Sequence, residues 1–362
     1  RLLDVMVDYS TELNDALGHF KKAFGEETNP NSPKQLKEAF KEKDLKLSDT
    51  GEQTLKEEDH PLTTCVLNYR SAKKQMEQAE TLLKAIEEDG RIHARFEPTG
   101  TNTGRFSSKR PNLQNIGRGK LRHCFVPDEG NLLVVADYSQ VELRVAAVVA
   151  NEERMIEAYK NGVDLHRQTA SLVLDKSIED ITKEDRQLAK AVNFGLLYGQ
   201  SAKGLVAYAK KAYGVEMDYE RARDIRSRFF SAYTGLREWH KNARKVAAES
   251  TQSVRTVSGR VQWLRGGKEA KWPRFTSLVN TPVQGGSADA LKQAMVDLSD
   301  KLPHTASIVS TVHDELIVEC ASDTAEEVKA LLETAMLDAV QTMFPGVRFE
   351  VEAGICESWA EK

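Results

Sequence analysis

The 362-residue sequence predicts a multidomain α/β protein in which a helical segment interrupts a sheet built from both of its flanks. Three observations carry this reading. NLLVVADYS at 131–139 is a continuous apolar run ending on a carboxylate, the pattern of a buried strand finishing at Asp137. SIVSTVHDELIVEC at 307–320 contains two β-rich runs about a polar HDE turn. Between them, from about residue 150 to 265, helical periodicity dominates. If the two strand segments pair, residues near 137 and 314 meet.

The elements follow in order. Leu2 to Phe24 has apolar residues at helical spacing, and NPNSPKQLKEAF offers a turn with Ser32 as cap and Pro33 at the first helical position. A second long helical pattern runs from Pro61 to Glu88 and stops at Asp89-Gly90. Residues 1–92 are therefore helical and highly charged, either a projecting arm or an ordinary helical domain. RIHARFEPTG reads as a short strand, and TNTGRFSSKRPNLQNIGRGK as a loop rich in Gly, Asn, Ser and Pro. VELRVAAVVA has helical character, and KKAY and RARDIRSRFF place basic stretches in the helical region. A charged helix from Thr324 to Met343 and a strand in FEVEAGICESW close the chain. No repeat or low-complexity tract is present.

Composition narrows the class without choosing within it. The 29% charged fraction describes a chain with broad wet surfaces, and no run of eighteen apolar residues could span a membrane. With 51 basic and 55 acidic residues the net charge is −4, which argues mildly against a uniformly basic nucleic-acid binder. A large enzyme can nevertheless concentrate positive charge in one cleft. Cys65, Cys124, Cys320 and Cys356 lie far apart with no CxxC pair, fitting a reducing compartment and no structural zinc. The chain opens RLLDVMVDYS, with neither a signal peptide nor an initiating Met, so a fragment, a processed product or an omitted upstream region is expected.

The chemistry-bearing residues form three groups. Asp137 and Asp314 both end runs apolar enough for a rigid sheet, which suits carboxylates that must be fixed about divalent ions. Taken singly, each fits equally well an aspartate bonded to turn backbone. Glu142 and Glu315 stand near them, as site residues or ordinary salt-bridge partners. In RQLAKAVNFGLLYG, the spacing of Arg186, Lys190, Phe194 and Tyr198 gives one helix face, cationic at one end and aromatic at the other. A nucleotide, with phosphates at one end and a flat ring at the other, matches that face, although such residues also serve as core and solvated surface. Gly195 and Gly199 weaken a helix and have no packing role legible in the sequence. TGRFSSKRPNLQNIGRGK sets Arg105, Lys109, Arg110, Arg118 and Lys120 among turn formers, as a phosphate-following or merely solvated loop. Asn280 and Gln284, four apart before an expected helix, offer amides to base edges or to local backbone.

These segments together resemble the family A DNA polymerases, the group containing bacterial DNA polymerase I and related phage enzymes. TGRFSSKRPNLQNI resembles the family's primer-template segment, DYSQVELR its motif A, RQLAKAVNFGLLYG its motif B and VHDE its motif C. NTPVQGGSADALK resembles the stretch between the last two, and the likeness runs from NSPKQL at 31 to SWAEK at the end. It implies a right-hand polymerase fold with thumb at 1–92, palm at 93–149 and 265–362, fingers at 150–264, and an antiparallel palm sheet.

By the same resemblance, Asp137, Asp314 and the Tyr138 backbone carbonyl hold two Mg²⁺ ions, with Mn²⁺ as a substitute. Lys190 contacts the incoming phosphates and protonates the leaving group, while Arg186 and His166 bind the β and γ phosphates. Glu142 is the steric gate against a ribose 2′-hydroxyl, Phe194 packs on the sugar, Gln140 lines the nucleotide site and Tyr198 holds the template-side pocket. Arg105, Asn280, Gln284 and His313 contact primer and template, with Glu315 and Arg118 as weaker members. Two positions depart from the family pattern: Thr276 stands where Arg is frequent, and Lys203 where an aromatic is frequent, which implies altered strand displacement. The expected partners are primer-template DNA and deoxynucleoside triphosphates, with no membrane. A monomer in the cytoplasm of a bacterium or phage-infected host, lacking a proofreading exonuclease, completes the expectation. An RNA polymerase, a metal-dependent nuclease and a DNA-holding module without chemistry are the rivals.

Overall fold

The computed structural model describes residues 1–249, 253–264 and 274–362. It divides into two compact units, the first comprising Arg1–Arg95, Ser108–Phe125 and Ser358–Glu361, the second Phe96–Ser107, Val126–Glu357 and Lys362. These units are cut differently from the four segments read in the sequence. The boundary expected at 264/265 borders residues 265–273, which lie outside the described residues.

In the first unit, α1 (Leu2–Phe24), α2 (Pro33–Glu42), α3 (Glu52–Glu57) and α4 (Pro61–Leu83) enclose a core of Phe20, Leu36, Phe40, Leu55 and Val66, all fully buried. Ser32 caps α2 as expected, its side chain accepting from the Gln35 N–H, with Pro33 at the first position where no donor is missed. α4 ends earlier than the periodicity predicts. Ile86 pairs with Ile92 in an isolated bridge and the Glu87 amide donates to Arg91 O, so the chain reverses at Gly90, φ +78°, instead of completing the helix.

The second unit is built on a four-stranded antiparallel sheet, as the fold class requires. Its strands are β1 (Asn131–Tyr138), β2 (Ala306–Val312), β3 (Glu315–Ala321) and β4 (Val351–Cys356), in spatial order β2-β3-β1-β4. β1 precedes the helical region and the other three follow it, so the two flanks do pair. Being central, β1 is buried across Leu133–Ala136, which explains why it reads as a continuous apolar run and not an alternating one. Helix α14 (Ala325–Met343) packs on the sheet, and the Tyr138 hydroxyl donates to Met336 O at 2.7 Å.

Between the flanks run α5 (Val141–Val149), α6 (Glu153–Lys160), α7 (Leu165–Leu174), α8 (Lys183–Leu197), α9 (Ala202–Tyr213), α10 (Tyr219–Ala232) and α11 (Thr234–Ala248). A hairpin of Ser253–Arg255 and Val261–Trp263 follows, which the helical reading of this region did not anticipate. Helix α12 (Arg274–Asn280) passes through a π turn at Thr281–Gly285 into α13 (Gly286–Ser299). Pro282 lacks the donor an α-helix would need there, and the wider turn keeps the helical path continuous. Asn280 and Gln284 thus lie within a helical run and not ahead of one.

Candidate active site

The sheet brings the two aspartates together. Asp137 is directly opposite Glu315 in the β1–β3 register, so Asp314, one residue earlier, stands at the neighbouring strand end. The Tyr138 amide donates to Asp314 O at 3.4 Å across this junction. The turn between β2 and β3 is only His313 and Asp314, with His313 at φ +57° and exposed. Glu315, read as part of the turn, is the first strand residue and is buried.

Burial pushes the Asp314 carboxyl up to about 6; Arg105 draws it back down, while the charges of Asp137 and Glu142 raise it further. Asp137 is a third exposed, and the Lys362 ammonium stands 3.2 Å from its Oδ1 and 3.9 Å from Glu352. Half-buried carboxylates that repel one another and draw in a lysine form a donor set for hard cations, which prefer carboxylate oxygen. Among the described residues no three His, Cys, Asp or Glu side chains group as a metal site. Asp137, Asp314 and the Tyr138 carbonyl would therefore supply part of a shell, as in sites that substrate phosphates complete.

Glu142, in the first turn of α5, connects this carboxylate pair to α8. Its two oxygens accept from Arg105 Nη2 and from the Tyr198 hydroxyl, and its side chain is only 15% exposed. Burial and the Glu142 charge raise the Tyr198 phenol well above its ordinary value, so it stays a neutral donor. The same hydroxyl lies within hydrogen-bond reach of Gln284. Arg105 is held in turn by its loop. Arg260 donates to Thr103 O and to Asp289, and Lys292 donates to Gly104 O, bracketing Arg105 on its N-terminal side. Gln140 takes a left-handed conformation, φ +52°, at the start of α5 and accepts from the Tyr159 hydroxyl at 3.3 Å.

Helix α8 presents the face read from its spacing. Arg186, Lys190 and Phe194 are half-buried in a helix whose Leu188, Ala189, Ala191–Asn193 and Gly195–Leu197 are buried, with Tyr198 as its C-cap. The two glycines do have packing roles. A Cβ on Gly195 would come within 3.0 Å of Leu205 on α9, and Gly199, φ +79°, lies where a Cβ would strike Phe275.

His166 is placed differently from a freely exposed phosphate ligand. It is 2% exposed and its pKa is pushed down to about 4 by burial, with Arg186 and Lys190 adding to the effect, so the ring is neutral. Thr169 donates to Asn193 Oδ1, and Asn193 Nδ2 donates to His166 Nδ1, which leaves the proton on Nε2. Asp164 was missed in the sequence. Its Oδ1 accepts from the His166 and Arg167 amides at the start of α7, while Oδ2 accepts from Arg186 Nε at 2.7 Å. One carboxylate thereby joins the helix start bearing His166 to that bearing Arg186. The signal was present, since Asp before LHRQ is an N-cap pattern. Lys190 has no carboxylate partner among the described residues. Asn280 is half-buried and its Oδ1 has no hydrogen-bond partner among them. Arg118 is exposed and belongs to the first unit.

A sheet assembled from both sides of a helical insertion, with paired aspartates and a cationic-aromatic helix, defines a right-hand polymerase fold. Residues 2–361 match DNA polymerase family A, and the chain belongs to that family. It is 41% identical to DNA polymerase I of Aquifex aeolicus over 345 residues, 92% of this chain and 58% of that protein. It is 35% identical over 386 residues to DNA polymerase I of Caldicellulosiruptor bescii, covering 99% and 44% respectively. The POL domain of Pol1 from M. smegmatis, solved in complex with DNA primer-template and dNTP, superimposes with a TM-score of 0.88 at 30% identity, covering 99% of this chain and 66% of that one. The chain thus spans about half the length of the relatives it matches.

Proposed function

We propose that this chain is the core of a DNA-directed DNA polymerase, extending a primer 3′ end with deoxynucleoside triphosphates and releasing pyrophosphate. The observation that carries the proposal is the junction of Asp137 and Asp314 at adjacent strand ends, with the charges of Arg105 and Glu142 acting on Asp314 and Glu142 accepting from Tyr198 at the end of α8. Residues 1–92 act as thumb, 150–264 as fingers, and the flanking segments as palm.

Asp137, Asp314 and the Tyr138 carbonyl hold two divalent cations, Mg²⁺ with Mn²⁺ as the substitute. Bound there, these cations supply acidification of the primer 3′-hydroxyl and charge neutralisation of the triphosphate. Arg186 and Lys190 bind the phosphates, and His166 contributes a neutral Nε2–H donor that brings no added charge. The primer oxygen forms its bond to the α-phosphorus as the bond to pyrophosphate breaks, and Lys190 hands the leaving oxygen a proton. Phe194 packs on the sugar and Gln140 lines the same pocket. Glu142, fixed by Arg105 and Tyr198, cannot swing aside for a 2′-hydroxyl, and this rigidity supports its reading as the sugar gate. Arg105, Asn280, Gln284 and His313 contact the primer-template, with Glu315 and Arg118 in lesser roles. The chain works as a monomer in this reading.

The test is extension of a primed template in Mg²⁺ with dNTPs and rNTPs supplied separately, beside an Asp137→Ala control. Growth with dNTPs alone, absent in the control, is expected; dNTP-independent DNA binding without growth would overturn the proposal.

A further inference from the structure

Glu142 is held by two donors of different standing. Tyr198 ends a helix, whereas Arg105 stands in residues 98–106, which form neither helix nor strand. No ladder of backbone hydrogen bonds keeps Arg105 still, so its rigidity has to come from other elements.

Three consecutive carbonyls of that loop are taken by side chains. Thr103 O accepts from Arg260 Nη2 at 2.6 Å, Gly104 O from Lys292 Nζ at 2.5 Å, and Arg105 O from Thr101 Oγ1 at 3.0 Å. Two of these donors are cations, which make the stronger hydrogen bonds. Arg260 lies in the hairpin of Ser253–Arg255 and Val261–Trp263, and Lys292 lies on α13, so the loop is tied to two elements remote in sequence. Asp289, one turn before Lys292 and only 8% exposed, completes the tie. Its Oδ1 accepts from Arg260 Nε at 2.7 Å and its Oδ2 from the Ser258 hydroxyl at 2.6 Å.

Two glycines make room for the Arg260 guanidinium. Gly104 has φ +85°, and a Cβ there would strike Arg260 Cζ. A Cβ on Gly285 would lie 2.5 Å from Arg260 Nη2 and 3.0 Å from Thr103 O. The proposed chemistry assigns no role to Arg260, Asp289 or Lys292.

We propose that these three are positioning residues for sugar selection: they brace the 103–105 backbone so that Arg105 holds Glu142 in place against a ribose 2′-hydroxyl. This rests on the polymerase function and the Glu142 gate proposed above. A site loses its selectivity when its supporting residues leave it about 1 Å too loose, and an unbraced loop gives Glu142 that freedom.

The experiment measures kcat/KM for the dNTP and the rNTP complementary to the next template base. The proteins are the wild type, Arg260→Lys and Lys292→Met, each also combined with Glu142→Ala, and Glu142→Ala alone. Arg260→Lys keeps the charge beside Asp289, but an ammonium has no fork to reach Thr103 O as well. Lys292→Met keeps an apolar stem near the Phe106 ring and removes the donor to Gly104 O. Each single variant should raise the ratio of rNTP to dNTP kcat/KM by about three- to tenfold, and neither should raise it further once Glu142 is replaced. General loosening of the fold would lower both values together and leave the ratio unmoved. Lys292 is half-buried, so its variant reads the brace even if Arg260→Lys melts early. Unchanged ratios in both variants, or equal rises with and without Glu142, would overturn the brace alone. A Glu142→Ala ratio equal to wild type would overturn the gate, and a wild type that extends with neither nucleotide would overturn the polymerase reading; the brace falls with either.

Discussion

Replacing Asp314 by Asn should stabilise the metal-free protein, and the structure sets the size and pH range of the effect. Burial pushes this carboxyl from 3.8 up to about 6, with Asp137 and Glu142 adding repulsion and Arg105 offsetting part of it. The native state therefore holds the proton more tightly than the unfolded chain does. The stabilisation from protonation is complete below pH 4 and disappears as pH rises through about 6. A difference of roughly two units at 1.36 kcal/mol each makes the ionised carboxyl cost about 3 kcal/mol at pH 8. Asparagine has the same shape and no charge to bury. In EDTA at pH 8 the variant should melt higher than the wild type by up to about 6 °C, at about 2 °C per kcal/mol for a unit of this size. At pH 4 the two should coincide. Adding Mg²⁺ at pH 8 should raise the wild type and leave the variant nearly unmoved, since cation binding stabilises only the state that binds. Thermal unfolding over this pH range is the assay. A variant no more stable than wild type at pH 8, or a difference that ignores pH, would refute the reasoning.

Three further outcomes follow from named contacts. Glu142→Ala removes the acceptor shared by Arg105 and Tyr198 and should raise ribonucleotide relative to deoxynucleotide incorporation by about 10- to 100-fold, measured as the ratio of kcat/KM values. Asp164→Asn keeps a capping oxygen for α7 but removes the anion from Arg186. The KM for dNTP should rise about tenfold with primer-template affinity unchanged, whereas Asp164→Ala should also lower stability by about 1 kcal/mol through the lost cap. Gly235→Ala places a Cβ 2.7 Å from Asn151 O and 2.9 Å from Ala150 O, backbone that cannot swing away, so thermal melting should report a loss of about 1–3 kcal/mol.

Local rules made much of the fold legible. The limits of α1, the Ser32 cap and the strands around Asp137 and Asp314 all depend on neighbours in sequence, and each was found there. The pairing of β1 with β3 stayed conditional in the sequence, because Asp137 and Asp314 mark the edges of apolar runs but nothing local says which runs lie side by side. What escaped reading depends on distance. The Glu142 clamp joins residues 37 and 56 positions away, and the Arg260–Asp289 pair spans 29, so no periodicity encodes either. Gly195 and Gly199 looked like departures from helix propensity until Leu205 and Phe275 supplied the close contacts that require them. His166 was named from its motif, yet its tautomer is set by Asn193 on another helix. The π turn at Thr281–Gly285 was hidden because Pro282 ordinarily argues for a break and not for a widened turn.

The most direct test of the central claim separates holding DNA from extending it. Wild type, Asp137→Ala and Asp314→Ala would be compared for primer-template affinity and, in the same buffer with Mg²⁺, for addition of the single dNTP complementary to the next template base. Both variants are expected to bind DNA comparably to wild type and to add no nucleotide. Continued templated addition by both would contradict the assignment of the chemistry to these two carboxylates.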